Sequence, residues 1–239
     1  MRYLLVCFLL LFSSCMYAQK SNETAGEKQK QRKGYLGVYF GPSFPVGNFG
    51  DREWTNQQAG FARQGFQLSV IDFGIKFVPN FGISATIKGS SLRMDVQELA
   101  DNYAQEYGGQ FTVSSSRWGF GGFHVGPFVS IPLKNLDIDF RFLTGFIIAV
   151  SPKQTVTQNN TGQSETRESE VGSSISISLG TGVRYHVSPR MSIMAHVEYQ
   201  RARPTFILQN YQGNGNQGTT VYQNVATVNT LLGLALRIF

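Results

Sequence analysis

Apolar and polar residues alternate along most of the chain after residue 33, and segment 126–145 shows the pattern most clearly. It contains two strands joined by a short connection at 132–135, and beyond the connection Ile138 lies on one strand face while Asp137 and Asp139 lie on the other. The segment therefore reads as a hairpin with one apolar and one charged face. The pattern recurs along the chain, and no second type of element is available to cover the apolar faces. A closed barrel in lipid accounts for this, because its apolar side chains point outward and its polar side chains inward.

The alternation predicts an all-β fold, an eight-stranded antiparallel transmembrane up-and-down β-barrel. In the second strand the parity slips at Val70–Ile71, so we expect a β-bulge that turns Asp72 inward. In the last strand, parity places Leu234 toward lipid and Asn229 inward, so we expect Asp to be tolerated only at position 229. The expected strands span about 35–44, 65–77, 81–92, 117–131, 136–150, 173–187, 193–200 and 221–239.

Short and long connections alternate between the predicted strands. Barrels of the outer membrane have short periplasmic turns and long outer loops, so we expect the barrel domain, residues 34–239, in the cell outer membrane with both termini periplasmic. Helical spacing of Val96, Leu99 and Tyr103 predicts a short helix in the second long loop. The short connections are 78–80, 132–135 and 188–191, and the long ones are 45–64, 93–116, 151–173 and 203–220.

The first 18 residues have the organisation of a secretory signal peptide, with Arg2 before an apolar run of roughly ten residues and small residues before Ala18. Cleavage after Ala18 would leave residues 19–33 as a disordered periplasmic tail that is polar and locally basic. The alternative is lipidation at Cys15. Because Cys7 also lies within the leader, the chain cut after Ala18 has no thiol for a disulfide or a thiolate metal site.

Charged residues make up 15% of the chain, below the roughly 25% of ordinary soluble domains, which fits a protein with part of its surface in lipid. The formal net charge is +6, but the basic residues are not concentrated enough to indicate a nucleic-acid partner. We expect no cofactor. The three histidines lack close metal-ligand spacing, which argues against a zinc site.

Inward parity brings acidic, basic and histidine side chains together inside the predicted barrel. Such an assembly suits either a proton or ion path or an interior salt-bridge network. Eight strands leave room for little more than their own side chains, and buried charges must be paired, so we interpret it as a network. The inward residues are Asp72, Lys76, Lys88, His124, Asp137, Asp139, Arg141, Arg184, His186, His196 and Glu198.

A possible hydrolytic triad consists of His186, Ser188 and Glu198, and it resembles that of the lipid A deacylase barrels. Ser188, however, begins a Ser-Pro-Arg-Met turn, which the expected topology places at the periplasmic rim. A deacylase of the outer leaflet needs its triad near the other rim. We therefore expect no catalysis and keep the hydrolase as an alternative.

The whole pattern resembles the small outer-membrane β-barrel domain family, which includes the OmpA transmembrane domain and OmpX-like proteins. The resemblance rests on the leader, the opening GPSFPVGNF, the Pro-Asn and Ile-Pro-Leu-Lys-Asn turns and the ending LLGLALRIF. It implies that Phe239 is an assembly signal for the barrel assembly machinery. Arg237 and Ala235 share the parity of Phe239 while Leu236 and Ile238 belong to the apolar face, so we expect a local offset at the end of the strand.

The family includes adhesins, envelope stabilisers and secretion accessories, so the resemblance fixes architecture and leaves activity open. We expect a monomer in contact with outer-membrane lipid and lipopolysaccharide. Its expected role is structural, or surface recognition of an unknown ligand through the long loops, with a filled and non-conducting lumen. The alternatives are a lipid A-modifying hydrolase, a small pore or a secretion accessory.

Overall fold

The computed structural model describes residues 33–208 and 219–238. The predictions for the signal peptide, for Cys15, for residues 19–32 and for Phe239 therefore lie outside the described residues. The elements in chain order are β1 (Gly34–Pro45), a 3-10 turn (Gly47–Phe49), β2 (Ala62–Val78), β3 (Phe81–Met94), α1 (Val96–Tyr107), β4 (Phe111–Ser115), β5 (Trp118–Pro132), β6 (Leu136–Val150), β7 (Gln154–Gln158), β8 (Ser164–Arg167), β9 (Val171–His186), β10 (Met191–Ala202), β11 (Thr205–Leu208), β12 (Thr219–Tyr222) and β13 (Val225–Ile238).

Eight of these strands close into a barrel in which every neighbouring pair is antiparallel. The order around the barrel is β1, β2, β3, β5, β6, β9, β10 and β13, and β13 returns to pair with β1. At this seam Gly34 lies opposite Ile238 and Pro45 lies opposite Thr227. The predicted eight-stranded barrel is confirmed.

The alternation of side chains is inverted relative to a soluble sheet, as the sequence predicts. On β6, Asp139 and Arg141 are buried while Phe140 and Phe142 are exposed on the outside. The expected bulge is also confirmed, because the pairing of β2 with β3 shifts between Ser69 and Ile71. The outer surface is therefore apolar and the interior polar, which is the arrangement of a transmembrane β-barrel.

The last strand is more regular than the sequence suggests. Its pairing with β1 keeps one register up to Ile238, and its pairing with β10 keeps one register up to Leu236, so the described part of the strand has no offset at its end. It also begins later than expected, at Val225, because segment Thr219–Tyr222 pairs with β11 in a separate hairpin. The strand keeps its alternation although inward positions such as Gly233 are small. The large side chain of Tyr39 on β1 fills the space beside Gly233.

The long loops carry structure of their own, and only part of it was predicted. The helix α1 is confirmed, with Asp95 as its N-cap. Strands β4, β7 and β8 form a second, three-stranded sheet that parity did not indicate, because its residues are mostly Ser, Thr and Gln on both faces. Within the described ranges, no helix is long and apolar enough to cross a membrane.

Candidate functional site: barrel interior and loop module

The centre of the interior is an ion pair between Arg141 on β6 and Asp72 on β2. The Nη1 nitrogen of Arg141 lies 2.9 and 3.0 Å from the two carboxylate oxygens, and it also donates to the Tyr39 hydroxyl at 2.9 Å. The bulge described above is what turns Asp72 toward this guanidinium. One cation and one anion thus neutralise each other at a position closed to solvent.

A second cluster lies closer to the short turns. The Nη2 nitrogen of Arg184 donates to Asp137 at 2.9 Å and to Asp139 at 3.0 Å. Asp137 also accepts from the Lys76 ammonium at 3.5 Å and lies 3.3 Å from the Nε2 nitrogen of His186. Two carboxylates and two fixed cations therefore balance within this cluster.

A third cluster lies nearer the long loops, where Lys88 on β3 pairs with Glu198 on β10. Gln67 donates to the same carboxylate at 3.4 Å. Beside this pair is a cavity of about 10 Å³ lined by Lys88, His124, Gln200 and their neighbours, which is room for about one water molecule. His196 stacks on Tyr39 with ring centroids 5.9 Å apart.

The structure thus places all eleven residues with predicted inward parity in the interior, while Phe239, the predicted assembly signal, lies outside the described residues. Four carboxylates face four cations, so the named interior charges sum to zero with neutral histidines: Asp72, Asp137, Asp139 and Glu198 against Lys76, Lys88, Arg141 and Arg184. Among the described residues, no group of three or more His, Cys, Asp or Glu side chains is arranged to hold a metal ion.

Tyr35 holds two of these clusters together, and the sequence reading did not single it out. Its ring is buried, and the guanidinium carbon of Arg184 lies over the ring, 4.3 Å from its centroid. The guanidinium carbon of Arg141 lies 5.5 Å from the same centroid. The ring face is a favourable neighbour for a desolvated guanidinium. The signal was present in the sequence, because the outward parity of Leu36 and Val38 places Tyr35 inward.

An apolar plug closes the interior at the end that carries the long loops. Phe49 from the first loop packs edge-to-face on Trp118, with ring centroids 5.5 Å apart, and Phe206 joins them from β11. The Trp118 indole nitrogen donates to the carbonyl of Gly60 at 3.1 Å, which anchors the first loop over the opening. Sequence reasoning missed this plug because two of its members come from loop segments with no strand parity.

The possible triad is not assembled. His186 contacts Ser192 at 2.9 Å through its Nδ1 nitrogen and Asp137 through its other nitrogen. The Ser188 hydroxyl oxygen accepts from the backbone of the turn, and Glu198 is committed to Lys88. Ser192 is itself fully buried, so the Ser-His-Asp contact that does exist has no access for a substrate.

Three of the four long loops contribute to a compact unit, here called the loop module, which consists of α1, strands β4, β7 and β8, and the first loop, 46–61. Its core joins Phe61, Leu99, Ala100 and Val113, each from a different element or loop except the two helix residues. Phe61 has a left-handed backbone with φ of 48°, and its backbone bonds to Asp51 and Asp95 hold it there. A strained residue held this firmly indicates that the first loop has one defined position.

Asp95 is the electrostatic centre of the loop module. Its carboxylate caps α1 and lies 3.1 Å from Arg52 and 3.3 Å from Arg63. In the first loop, hydrogen bonds from Asn56 and from two backbone N–H groups lower the pKa of Asp51. These contacts fix the first loop against the helix.

Aromatic rings line one side of the loop module. Trp54 meets Tyr103 edge-to-face at 5.0 Å, and Tyr103 stacks with Tyr107 at 5.9 Å and packs on Phe111 at 5.7 Å. Burial in this cluster raises the pKa of Tyr103. Trp54 and Tyr107 remain exposed, so rigid apolar ring faces are presented to solvent.

No protein-family model and no curated protein matches this chain. Solved structures with a similar arrangement include Neisserial surface protein A, which is 13% identical with a TM-score of 0.44 and is matched over 86% of this chain and 97% of its own. The Ail attachment invasion locus protein of Yersinia pestis is 15% identical with a TM-score of 0.43, over 86% and 97% of the two chains. A major outer membrane protein from Thermus thermophilus is 13% identical with a TM-score of 0.47, over 85% and 98%. The likeness is one of strand arrangement, and the barrel assignment rests on the strand pairings themselves.

Proposed function

We propose that this outer-membrane β-barrel presents the loop module on the cell surface as a recognition platform and does not itself catalyse a reaction. The observation that carries the proposal is that the loops are folded around a core of their own and expose the ring faces of Trp54 and Tyr107. Rigid aromatic side chains give a large contact area at low entropic cost, which is why they dominate recognition surfaces.

The orientation follows from the lengths of the connections. Long loops lie outside in barrels of this class, so both ends of the barrel chain are periplasmic. Protease added to intact cells should cut within segment 151–173, which holds the exposed strand β8. Cleavage confined to the turn 188–191 would reverse the topology and remove the proposal.

The recognition role is tested by photocrosslinking on intact cells. A photoreactive residue replaces Tyr107, with the same residue at Val187, beside a short turn, as the matched control. The proposal requires crosslinks to an extracellular macromolecule from position 107 that are absent from position 187 and lost in Trp54→Ser. Crosslinks that are the same from both positions, or none from position 107, would contradict it.

The lumen is proposed to be closed to ions. The apolar plug and the paired interior charges support this, since an eight-stranded barrel is filled by its own side chains. In planar bilayers the refolded protein should give no steady conductance steps. Incubation with lipid A should likewise release no fatty acid, and release that is abolished by His186→Ala would establish the hydrolase instead.

A further inference from the structure

Three arginines lie in one row on the outer surface of the barrel, at its long-loop end. Arg63 on β2 is paired in register with Arg93 on β3. The last pair between β3 and β5 is Leu92 with Trp118, so Arg117 is the next residue in line with Arg93. All three are exposed, while their neighbours Ala62, Leu92 and Trp118 point into the interior. These three residues are called the arginine row.

The charge of the arginine row is not balanced within the described part of the chain. Like charges placed opposite each other on neighbouring strands repel and destabilise a sheet. Arg63 has one partner, the Asp95 carboxylate, and shares it with Arg52. Across residues 33–208 and 219–238, neither Arg93 nor Arg117 has an ion pair or a side-chain hydrogen bond. The arginine row therefore carries positive charge that is unpaired among the described residues, and it is suited to binding an anion from outside the chain.

The height of the row matches the level of lipid headgroups. On β3 the outward apolar side chains begin at Phe81, twelve residues before Arg93. At about 3.3 Å per residue and a strand tilt of about 40°, this distance is about 30 Å along the barrel axis. The apolar band of such barrels is about 25 Å tall. The guanidinium groups thus lie just above the hydrocarbon, on the side of the long loops.

On the membrane side of the arginine row, the lipid-facing surface has a shallow depression lined by small residues. Gly89 pairs with Gly121, and Ser91 pairs with Gly119, so four small residues meet on β3 and β5. A Cβ atom added at Gly121 would meet no atom within 4 Å, which shows that the space there is open. Phe66 on β2 and Ile148 on β6 stand on either side. The depression spans three strand spacings, about 14 Å, and is called the furrow.

We propose that the arginine row and the furrow bind a lipid with phosphate-monoester headgroups from the leaflet on the long-loop side. The guanidinium groups donate charge-assisted hydrogen bonds to the phosphate oxygens. The sugar or acyl portion of the same lipid lies in the furrow. A phosphate monoester carries between one and two negative charges at neutral pH and matches several guanidinium donors at once. The site meets the loop module only at the Arg63–Asp95 pair. Substitutions at Arg93 and Arg117 leave that pair in place, so failure of the lipid proposal would leave the proposed recognition role untouched.

The test uses the refolded full chain in neutral detergent with bis-phosphorylated lipid A as the probe, and counts bound lipid by native mass spectrometry. Arg93→Gln with Arg117→Gln should weaken binding by about tenfold or more, since each arginine contributes charged hydrogen bonds. Arg190→Gln, an exposed arginine in the turn at the opposite end, is the matched control and should bind as the wild type does. Gly121→Leu should also weaken binding, because its side chain fills the furrow.

Two further results separate a lipid site from a structural role. Without lipid A the double variant should be as stable as the wild type or more stable, because the repulsion within the arginine row is relieved. With lipid A the wild type should become the more stable protein.

Folding of each variant is checked by heat-modifiable migration, and Arg93→Gln alone serves if the double variant does not fold. Equal binding by wild type and variant would overturn the proposal, as would equal binding of dephosphorylated lipid A. Binding of phosphatidylglycerol as strong as that of lipid A would overturn the assignment of a phosphate monoester.

Discussion

Arg141 and Asp72 form an ion pair across the interior, although β3 and β5 separate their strands in the barrel wall. Their side chains are 2% and 0% exposed, so neither charge can return to water without opening the barrel. The pair therefore links two parts of the wall that share no backbone hydrogen bonds.

Breaking this pair on one side should be costly. Arg141→Gln leaves the Asp72 carboxylate buried without its cation, and we expect a loss of about 3–5 kcal/mol in the free energy of unfolding. Urea unfolding in lipid vesicles measures this. Lys153→Gln, which breaks the exposed pair with Glu168, is the control and should cost less than about 1 kcal/mol. Equal losses in the two variants would show that the interior pair is not desolvated.

The outward face of the last strand can be tested by placing a charge on it. Leu234 lies within the apolar outer face of β13, between Leu232 and Leu236. Leu234→Arg should destabilise the folded barrel by about 2–4 kcal/mol if the position is near the bilayer midplane. Val187→Arg, beside a short turn, should cost at most about 1 kcal/mol because the charge reaches the interface. Similar losses at both positions would mean that the apolar band is placed wrongly.

Asn229 shows where parity alone misleads. Parity correctly places it inward, which suggests that Asp would be tolerated, but the structure shows that it is fully buried and in register with Glu198. Asn229→Asp puts a second carboxylate beside one that already has its cation, so we now expect impaired folding on gels. Asn229→Ser, which adds no charge, is the control. Normal folding of Asn229→Asp would restore the simpler expectation.

The seam between β1 and β13 depends on a close backbone approach at Gly41. A Cβ atom there would lie 2.0 Å from the carbonyl oxygen of Thr230. Gly41→Val should therefore lower the yield of folded barrel sharply. Gly121→Val adds the same side chain where no atom lies within 4 Å, and it should fold normally. If both variants fold equally well, the seam is looser than described.

The loop module should be separable from the barrel through Asp95. Asp95→Ala removes the helix cap and the partner of Arg52 and Arg63, so protease should cut within α1 faster while heat-modifiable migration of the barrel stays unchanged. Asp95→Ser keeps a capping oxygen and should restore part of the resistance. Loss of the folded barrel in Asp95→Ala would show that the two units are not independent.

The sequence predicts the barrel well because one physical rule, apolar toward lipid and polar inward, applies to every residue of every long strand. It places Asp72, Lys88 and Glu198 inside, but parity cannot say which charge meets which, since partners such as Lys88 and Glu198 lie 110 residues apart. The apolar plug and the loop module escape the same reasoning. Their residues follow no period, and their positions depend on single contacts such as that of Trp118 with Gly60.

The pairing of Gly34 with Ile238 has a consequence for the order of biogenesis. Because β1 takes its second neighbour from β13, no local folding can protect the free edge of the first strand until the last strand is in place. A chain that ends before Val225 would lack β13 and keep two bare edges, one on β1 and one on β10. Susceptibility to proteolysis should therefore distinguish chains that differ by a single strand.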